Sequence, residues 1–237
     1  MLANMPNLTG FGLNNCPNIT GSIDGLANHP NLTSIGIHNT QVSGDISVLA
    51  SMPNFLVLYA NNTQISGDIN SLVGHKKLRE LYVNIYTNLE IIGLSLTNGL
   101  YGDIAVFTNC TKLTNIWTDA TCKLYGDISA FANCVNLIEL GIQYPQNVYG
   151  DISSLANLKN LLKWGTLSTN ITGDIAVFAN FTNLSVVNLV STQVYGDIGA
   201  FANCPNLWRL VVAVTQVSGS VNSLASLTKL NNLYVNT

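Results

Sequence analysis

Charged side chains are the scarcest component of this sequence. Only 9% of the 237 residues are Asp, Glu, Lys or Arg, and the formal net charge is −3. Proteins that bind nucleic acid carry a basic patch or stripe. Nine Lys and Arg residues against twelve Asp and Glu residues therefore argue against a nucleic-acid partner.

Long hydrophobic runs are also missing, although hydrophobic residues make up 47% of the chain. The longest apolar runs, LEIIGLSL and LWRLVVAV, fall far short of the roughly 20 residues that a membrane-spanning helix needs, so we expect no membrane insertion. The first residues, MLANMPNLTG, lack the basic and apolar segments of a signal peptide. These features predict either a cytosolic chain or a part of a longer protein.

The sequence is equally poor in groups that carry out catalysis. Its three histidines have no carboxylate or nucleophile at a matching position, so a catalytic triad cannot be argued. There is no glycine-rich phosphate loop and no pair of catalytic carboxylates. Five cysteines are an odd number and cannot all pair within one chain. We predict a protein that is not an enzyme and that uses no cofactor.

The chain does contain one short unit that recurs along its whole length, each copy marked by the glycine of a Gly-Asp-Ile or related triplet. The glycines are Gly21, Gly44, Gly67, Gly102, Gly126, Gly150, Gly173, Gly196 and Gly219. Their spacing is nearly constant, with one longer step between Gly67 and Gly102. A fixed period of this size predicts a solenoid, in which each unit buries its apolar face against its neighbours.

Apolar residues hold fixed positions relative to each glycine. Isoleucine or valine follows at the second position after it, and leucine or phenylalanine follows at the fifth. Farther along the unit, residues such as Leu32, Ile35 and Ile37 alternate inward along a short strand. We expect these strands to pair in parallel about 4.8 Å apart and to form one long sheet, with a tight return completing each coil.

Written out, the unit is L-x-x-L-x-L-x-x-T-x-V-x-G-D-I, as in NLTSIGIHNTQVSGDI (31–46). This pattern resembles the leucine-rich repeat family over essentially the whole chain. GDISSLANLKNLLKW resembles the repeats of bacterial internalin-type surface proteins, and the Gly-x-Ile extension is similar to plant-type repeats. The resemblance implies an α/β-type solenoid that is mostly β. It would be a right-handed superhelix with a parallel concave sheet and short turns or 3-10 segments on its convex side.

One position departs from the family pattern. Threonine, as at Thr40 and Thr63, stands where the family has its ladder asparagine. A hydroxyl satisfies fewer backbone groups than an amide does. We therefore expect a ladder that is weaker or partly replaced.

We predict a single domain over residues 1–237 with about ten to eleven repeats and one irregular unit. In that unit, LRELYV (78–83) and LEIIGL (89–94) both fit the strand pattern, yet the second begins too soon after the first for two full coils. A loop or half-coil is therefore expected near 84–95. Insertions in repeat proteins often lie on the binding face, but drift without function is an open alternative.

The aspartates that follow the glycines form a column with two interpretations. Stacked carboxylates suggest a calcium site, whereas the Asp-Ile-Ser order is typical of a residue that caps a short helical turn. We predict capping. Cys110, Cys134 and Cys204 share a repeat position with Met and Leu, which favours a buried apolar slot. A zinc site there would need two further ligands, so we predict no metal.

Side chains between the inward leucines face the open surface of the sheet, which is the usual binding face of such solenoids. Three aromatic residues at this middle position, Tyr59, Tyr82 and Trp117, are predicted to cluster. The polar residues expected around them are Glu80, Asn61, Asn84, Asn115 and Asp119. Aromatic residues within a polar rim are typical of a binding hot spot. Aromatic packing that only stabilises the sheet is the alternative.

A second aromatic column precedes the glycines, at Tyr101, Tyr125, Tyr149 and Tyr195. The sequence does not decide whether it is an interaction edge or a cover for the apolar side.

We predict a non-catalytic, adhesin-like recognition module that binds a protein or glycan through the concave sheet. The internalin resemblance implies a location at the cell surface or a secreted protein, as part of a longer chain. The alternative is a structural protein that stacks end to end into a homo-oligomer, because neither terminal unit has the sequence of a capping repeat.

Overall fold

The computed structural model describes residues 5–60, 63–72, 80–82, 91–94, 100–118, 123–143 and 147–236. Of residues 70, 72, 80–82, 91–94 and 100, only the backbone is described. The described chain consists of short parallel strands and short 3-10 helices stacked in successive coils. The predicted mostly-β solenoid is therefore confirmed. No helix among the described residues is both long enough and apolar enough to cross a membrane.

Among the described residues, the larger sheet has eleven strands. In spatial order they are β1 (Gly10–Gly12), β3 (Ser34–Gly36), β5 (Val57–Tyr59), β7 (Glu80–Tyr82), β8 (Ile91–Leu94), β10 (Asn115–Thr118), β12 (Glu139–Gln143), β14 (Lys163–Leu167), β16 (Val186–Asn188), β18 (Arg209–Val211) and β20 (Asn232–Tyr234). Equivalent positions of neighbouring units are in register, as in the pairing of Ile35 with Leu58. The repeat period thus sets the register of the whole sheet.

Among the described residues, a second sheet of nine strands includes the anchor glycine of every unit except the last, whose Gly219 follows its strand directly. Its strands are β2 (Thr20–Ser22), β4 (Gln41–Asp45), β6 (Gln64–Asp68), β9 (Leu100–Asp103), β11 (Lys123–Asp127), β13 (Asn147–Asp151), β15 (Asn170–Asp174), β17 (Gln193–Asp197) and β19 (Gln216–Ser218). The prediction of one sheet with a tight return was wrong on this point. The segment before each glycine also alternates, with Val42 buried between the more exposed Gln41 and Ser43, and that alternation is a strand signal.

Short 3-10 helices follow the strands of the second sheet. They span Ile23–Leu26, Ile46–Ser51, Ile69–Leu72, Ile104–Phe107, Ile128–Phe131, Ile152–Leu155, Ile175–Asn180, Ile198–Asn203 and Val221–Leu224. The aspartate before the helix accepts a hydrogen bond from the backbone N–H two positions later. For example, Asp151 Oδ1 lies 2.8 Å from the nitrogen of Ser153. The predicted capping role of the aspartate column is confirmed.

The anchor glycines have backbone conformations that other residues rarely adopt. Gly150 has a φ of +115°, and a Cβ built on it would lie 2.5 Å from Oδ1 of Asp127 in the preceding coil. Glycine is thus required at this position for two reasons, which are its own positive φ and the close approach of the Asp127 carboxylate.

Within the described residues, the irregular unit adds one extra strand, β8, to the larger sheet and none to the second sheet. Glu80 of β7 pairs with Ile91 of β8 in the eleven-stranded sheet, whereas β6 pairs directly with β9 in the second sheet. Residues 83–90 and 95–99 lie outside the described residues, so the predicted insertion near 84–95 stays a prediction.

The core is a continuous file of side chains enclosed by the two sheets and the 3-10 helices. Aromatic residues fill its C-terminal half, where Phe178 stacks on Phe201 with ring centroids 5.3 Å apart. Cys110, Cys134 and Cys204 are fully buried in the same file, which confirms the predicted apolar slot. Burial, with a smaller contribution from Cys110, raises the pKa of the Cys134 thiol to about 12. Such a thiol is a poor nucleophile and a poor metal ligand.

Candidate functional site

The outward side of the eleven-stranded sheet is the surface that we call the eleven-strand face. Alternation along each strand determines which residues contribute to it. In β12, Leu140 and Ile142 are buried, whereas Gln143 is exposed. In β14, Trp164 is buried and Lys163 is exposed. The face therefore presents every second residue of each strand.

Two of the predicted binding residues are direct neighbours. Tyr59 of β5 and Tyr82 of β7 are Cα partners in the sheet. Tyr59 is half-buried. Glu80, at the other end of the same strand as Tyr82, pairs with Val57. The predicted aromatic pair thus lies at one position of adjacent strands.

The third predicted aromatic residue lies farther along the sheet. Trp117 of β10 pairs with Gly93 on one side and with Gly141 on the other. Strand β8 therefore separates Trp117 from the strand of Tyr82. Asn115 lies on the same strand as Trp117 and is half-buried. The predicted residues Asn61, Asn84 and Asp119 lie outside the described residues.

Trp117 lies over the backbone of the next coil. A Cβ built on Gly141 would be 2.9 Å from Cδ1 of Trp117, so any larger residue there would displace the indole. The following glycine, Gly165, is open, because a Cβ there would come no nearer than 4.0 Å to another atom, the Cα of Gly141. A shallow depression with a backbone floor thus lies between Trp117 and Asn188, the partner of Gly165 in β16.

Two polar contacts on this face involve residues that were not predicted from the sequence, apart from their position on the strands. Lys163 Nζ lies 2.8 Å from Oε1 of Glu139, its Cα partner. Arg209 Cζ lies 5.7 Å from the ring centroid of Tyr234, close enough for a cation–π interaction. A usable signal existed for the first contact, because Glu139 and Lys163 occupy the same position of successive units and have opposite charges.

The inter-coil hydrogen-bond ladder is formed by asparagines at another position of the unit. Asn136 Nδ2 donates to the carbonyl of Thr111 at 2.8 Å, and Asn160 Nδ2 donates to that of Val135 at 3.0 Å. In the threonine column, four hydroxyls bond within their own coil, as when Thr192 Oγ1 donates to Leu189 O, whereas Thr169 Oγ1 has no hydrogen-bond partner among the described residues. The expected replacement of the ladder is thus found, and the recurring Asn-Leu dipeptide was its unused sequence signal.

Among the described residues, no group of three or more His, Cys, Asp or Glu side chains is close enough together to hold a metal ion. The capping aspartates each direct one oxygen to a backbone N–H, as Asp127 does to Ser129. These carboxylates have a structural role in the coil that contains them.

Solved structures with the same fold include proteins of two groups. An internalin from Listeria monocytogenes superposes with a TM-score of 0.69 at 26% identity, over 99% of this chain and 69% of its own. The Arabidopsis receptor kinase HAESA, in complex with the peptide hormone IDA and the co-receptor SERK1, gives a TM-score of 0.71 at 21% identity. That match covers 98% of this chain and 38% of the receptor chain. The plant peptide hormone receptor RGFR1, in complex with RGF2, gives 0.66 at 20% identity, over 97% and 48%.

No model of a protein family and no curated protein matches the sequence. The period, the parallel register and these structural neighbours nevertheless agree, and the chain is a leucine-rich repeat protein. Its solved neighbours are internalins and plant receptor ectodomains. The chain spans less than half the length of the two plant receptors described above.

Proposed function

We propose that this protein is a non-catalytic recognition module that binds a protein or peptide through the eleven-strand face. The main supporting observation is the depression at Gly165, bounded by Trp117 and Asn188, where an added Cβ would meet no atom closer than 4.0 Å. A glycine floor lets a partner backbone approach the sheet closely. The adjacent indole supplies the kind of aromatic surface that dominates interface energies.

The structural neighbours support a polypeptide partner. RGFR1 and HAESA were each solved with a peptide hormone bound. The binding site proposed for this chain consists of Tyr59, Tyr82 and Trp117 with Glu80 and Asn115. The positions that extend it, outside the described residues, are Asn61, Asn84 and Asp119. A glycan is the alternative ligand, and an adhesin-like role at the cell surface or in secreted form belongs to the same proposal.

The proposal is tested by panning the protein against a phage-displayed library of random peptides and, in parallel, against a glycan array. Peptides that are enriched on the wild type are expected to bind Trp117→Ala at least about thirtyfold more weakly. The reason is that removing a central aromatic residue typically costs about 2 kcal/mol of binding free energy or more. Isothermal titration calorimetry measures the change, and Tyr82→Ala is expected to act in the same direction.

Trp208→Ala is the matched control. Trp208 is 41% exposed and immediately precedes β18, so the variant loses an exposed indole away from the proposed site. Peptide affinities that fall equally in both tryptophan variants, or in neither, would contradict the proposed site. Enrichment of glycans alone would shift the ligand class from peptide to carbohydrate.

Self-assembly is a second candidate, favoured by the last coil. In the described sheet, β20 pairs with β18 on one side only, and Leu233, Tyr234 and Val235 are exposed. An exposed apolar edge strand is a template for pairing with another chain. If the candidate is right, light scattering will show a molar mass that rises with concentration, and Val235→Lys will abolish the rise. Val135→Lys, an equally exposed site in the middle of the solenoid, is the control. A monomer at every concentration rejects the candidate.

A further inference from the structure

The nine-stranded sheet exposes a file of tyrosines that the proposed function does not use. The residues lie one position before the anchor glycine, and their exposed fractions range from 42% at Tyr125 to 52% at Tyr149. The four members are Tyr101, Tyr125, Tyr149 and Tyr195. The first three lie on the consecutive strands β9, β11 and β13, which are about 4.8 Å apart. Each tyrosine is offset along the strand by two residues from the next, because Tyr125 pairs with Asp103 and Tyr149 pairs with Asp127.

The fold itself does not require aromatic residues at this position. Ser43 and Ser66 occupy it in β4 and β6, and these strands pair in the same parallel register as the tyrosine-bearing strands. Thr172 occupies it in β15. Rings that are nearly half exposed also cover little of the apolar core. The file is therefore an addition to the surface of the solenoid, and contiguous exposed aromatic residues mark an interaction surface.

Each tyrosine is accompanied by carboxylates. An aspartate follows at the second position after it, on the same side of the strand, and the pairing brings another one beside it. Tyr149, for example, precedes Asp151 on β13 and is the Cα partner of Asp127 on β11. The capping bonds described above fix these carboxylates in place. We call the exposed tyrosines and the aspartates beside them the Tyr–Asp face.

The Tyr–Asp face is strongly acidic. Seven of the twelve acidic residues of the chain lie in the aspartate column. The members of the column are Asp45, Asp68, Asp103, Asp127, Asp151, Asp174 and Asp197. Within the described strands of this sheet, Lys123 is the single basic residue. The Glu139–Lys163 ion pair lies on the other sheet and neutralises none of these charges.

We propose that the Tyr–Asp face binds a cationic, arginine-rich extended segment of a partner protein. A guanidinium group stacks on an aromatic ring by cation–π attraction and also pairs with a carboxylate. On this face, both groups lie next to each other in successive coils. The site is on a different sheet from the eleven-strand face, so the inference does not depend on the function proposed above.

The probe is fluorescein-labelled octa-arginine, with binding followed by fluorescence anisotropy at moderate ionic strength. Saturable binding to the wild type is expected, and Tyr125→Ser/Tyr149→Ser is expected to weaken it about tenfold, because two cation–π contacts are lost. Serine is the residue that the chain itself uses at this position in Ser43 and Ser66, so the variant should fold normally. Unchanged circular dichroism and an unchanged thermal midpoint would confirm folding.

A second variant removes the charge while keeping the helix cap. Asp151→Ser is expected to weaken octa-arginine binding about threefold, as the loss of one exposed ion pair does. Ser220 shows that a serine can cap here, because its Oγ accepts a hydrogen bond from the nitrogen of Asn222 at 3.3 Å. The matched control is Asp45→Ser, in a coil that has Ser43 in place of tyrosine. It loses the same charge and should bind as the wild type does.

Several results would overturn the proposal. One is the absence of saturable octa-arginine binding, and another is full binding by the tyrosine double variant. A third is an equal loss of binding in Asp45→Ser and Asp151→Ser, because it would indicate general attraction to an acidic protein. Binding of a neutral glycan that depends on the tyrosines but not on Asp151 would also overturn it, because the ligand would then be a carbohydrate.

Discussion

Gly150→Ala is expected to lower the free energy of unfolding by about 3 kcal/mol, the sum of a backbone cost and a lost helix cap. Gly150 has a φ of +115°, which costs an L-residue about 1–3 kcal/mol of backbone strain. The new Cβ would also lie 2.5 Å from Oδ1 and 3.0 Å from Cγ of Asp127. That carboxylate caps the helix at Ser129, and loss of a cap costs a further ~1 kcal/mol. The two costs arise from different coils, so they should add.

Chemical denaturation followed by circular dichroism measures this loss. Gly165→Ala is the control, because its Cβ would meet no atom closer than 4.0 Å. Replacing a strand glycine by alanine without strain is expected to stabilise the fold by up to about 1 kcal/mol. If both variants lost the same stability, glycine would be needed throughout the sheets for a reason other than backbone conformation and the aspartate contact.

The repeat pattern was sufficient to predict the solenoid and its larger sheet. The nearly constant period determines which strands are neighbours, and the inward leucines determine which side is buried. The second sheet was missed because a Gly-Asp pair is also a common turn signal. Gln41 and Ser43, on either side of the buried Val42, carried the strand signal. The residue after a turn-like glycine can thus still belong to a strand.

The candidate site was predictable as a set of positions but not as a set of contacts. Alternation places Tyr59, Tyr82 and Trp117 on the outward side of the strands. It does not give the direction in which a side chain leans, which depends on its rotamer. The indole of Trp117 lies over Gly141, so it bounds a depression on the side of the sheet away from Tyr82. Strand β8 adds Gly93 between the strands of Tyr82 and Trp117.

The asparagine ladder illustrates a second limit. The family resemblance predicts the hydrogen-bond ladder at the position of Thr40 and Thr63, where the family has asparagine. The inter-coil amide bonds are made at Asn136 and Asn160, on the approach to the larger sheet. A repeat needs some side chain to satisfy the carbonyl groups of the preceding coil, but this requirement does not specify the position.

Phe178→Ala is expected to cost about 4 kcal/mol, the usual range for a buried phenylalanine being about 3–5 kcal/mol. Phe178 is fully buried, and its ring lies 5.0 Å from that of Trp164 and 5.3 Å from that of Phe201. It therefore joins three successive coils. In a solenoid, stability is a sum of unit and neighbour terms, so this cavity should loosen the coupling between the coils on its two sides. Hydrogen exchange should accelerate most in β14 to β18.

The variant Phe178→Leu distinguishes the contribution of filled volume to stability from the contribution of aromatic contact. Leu155 holds the equivalent position in the preceding unit and is fully buried, so a leucine is compatible with the backbone there. We expect this variant to lose about 2 kcal/mol, less than Phe178→Ala, because leucine fills part of the volume that the ring occupies. A loss as large as that of Phe178→Ala would show that the ring contacts with Trp164 and Phe201, and not filled volume alone, join these coils. The coupling between units would then depend on specific side chains and would differ along the solenoid.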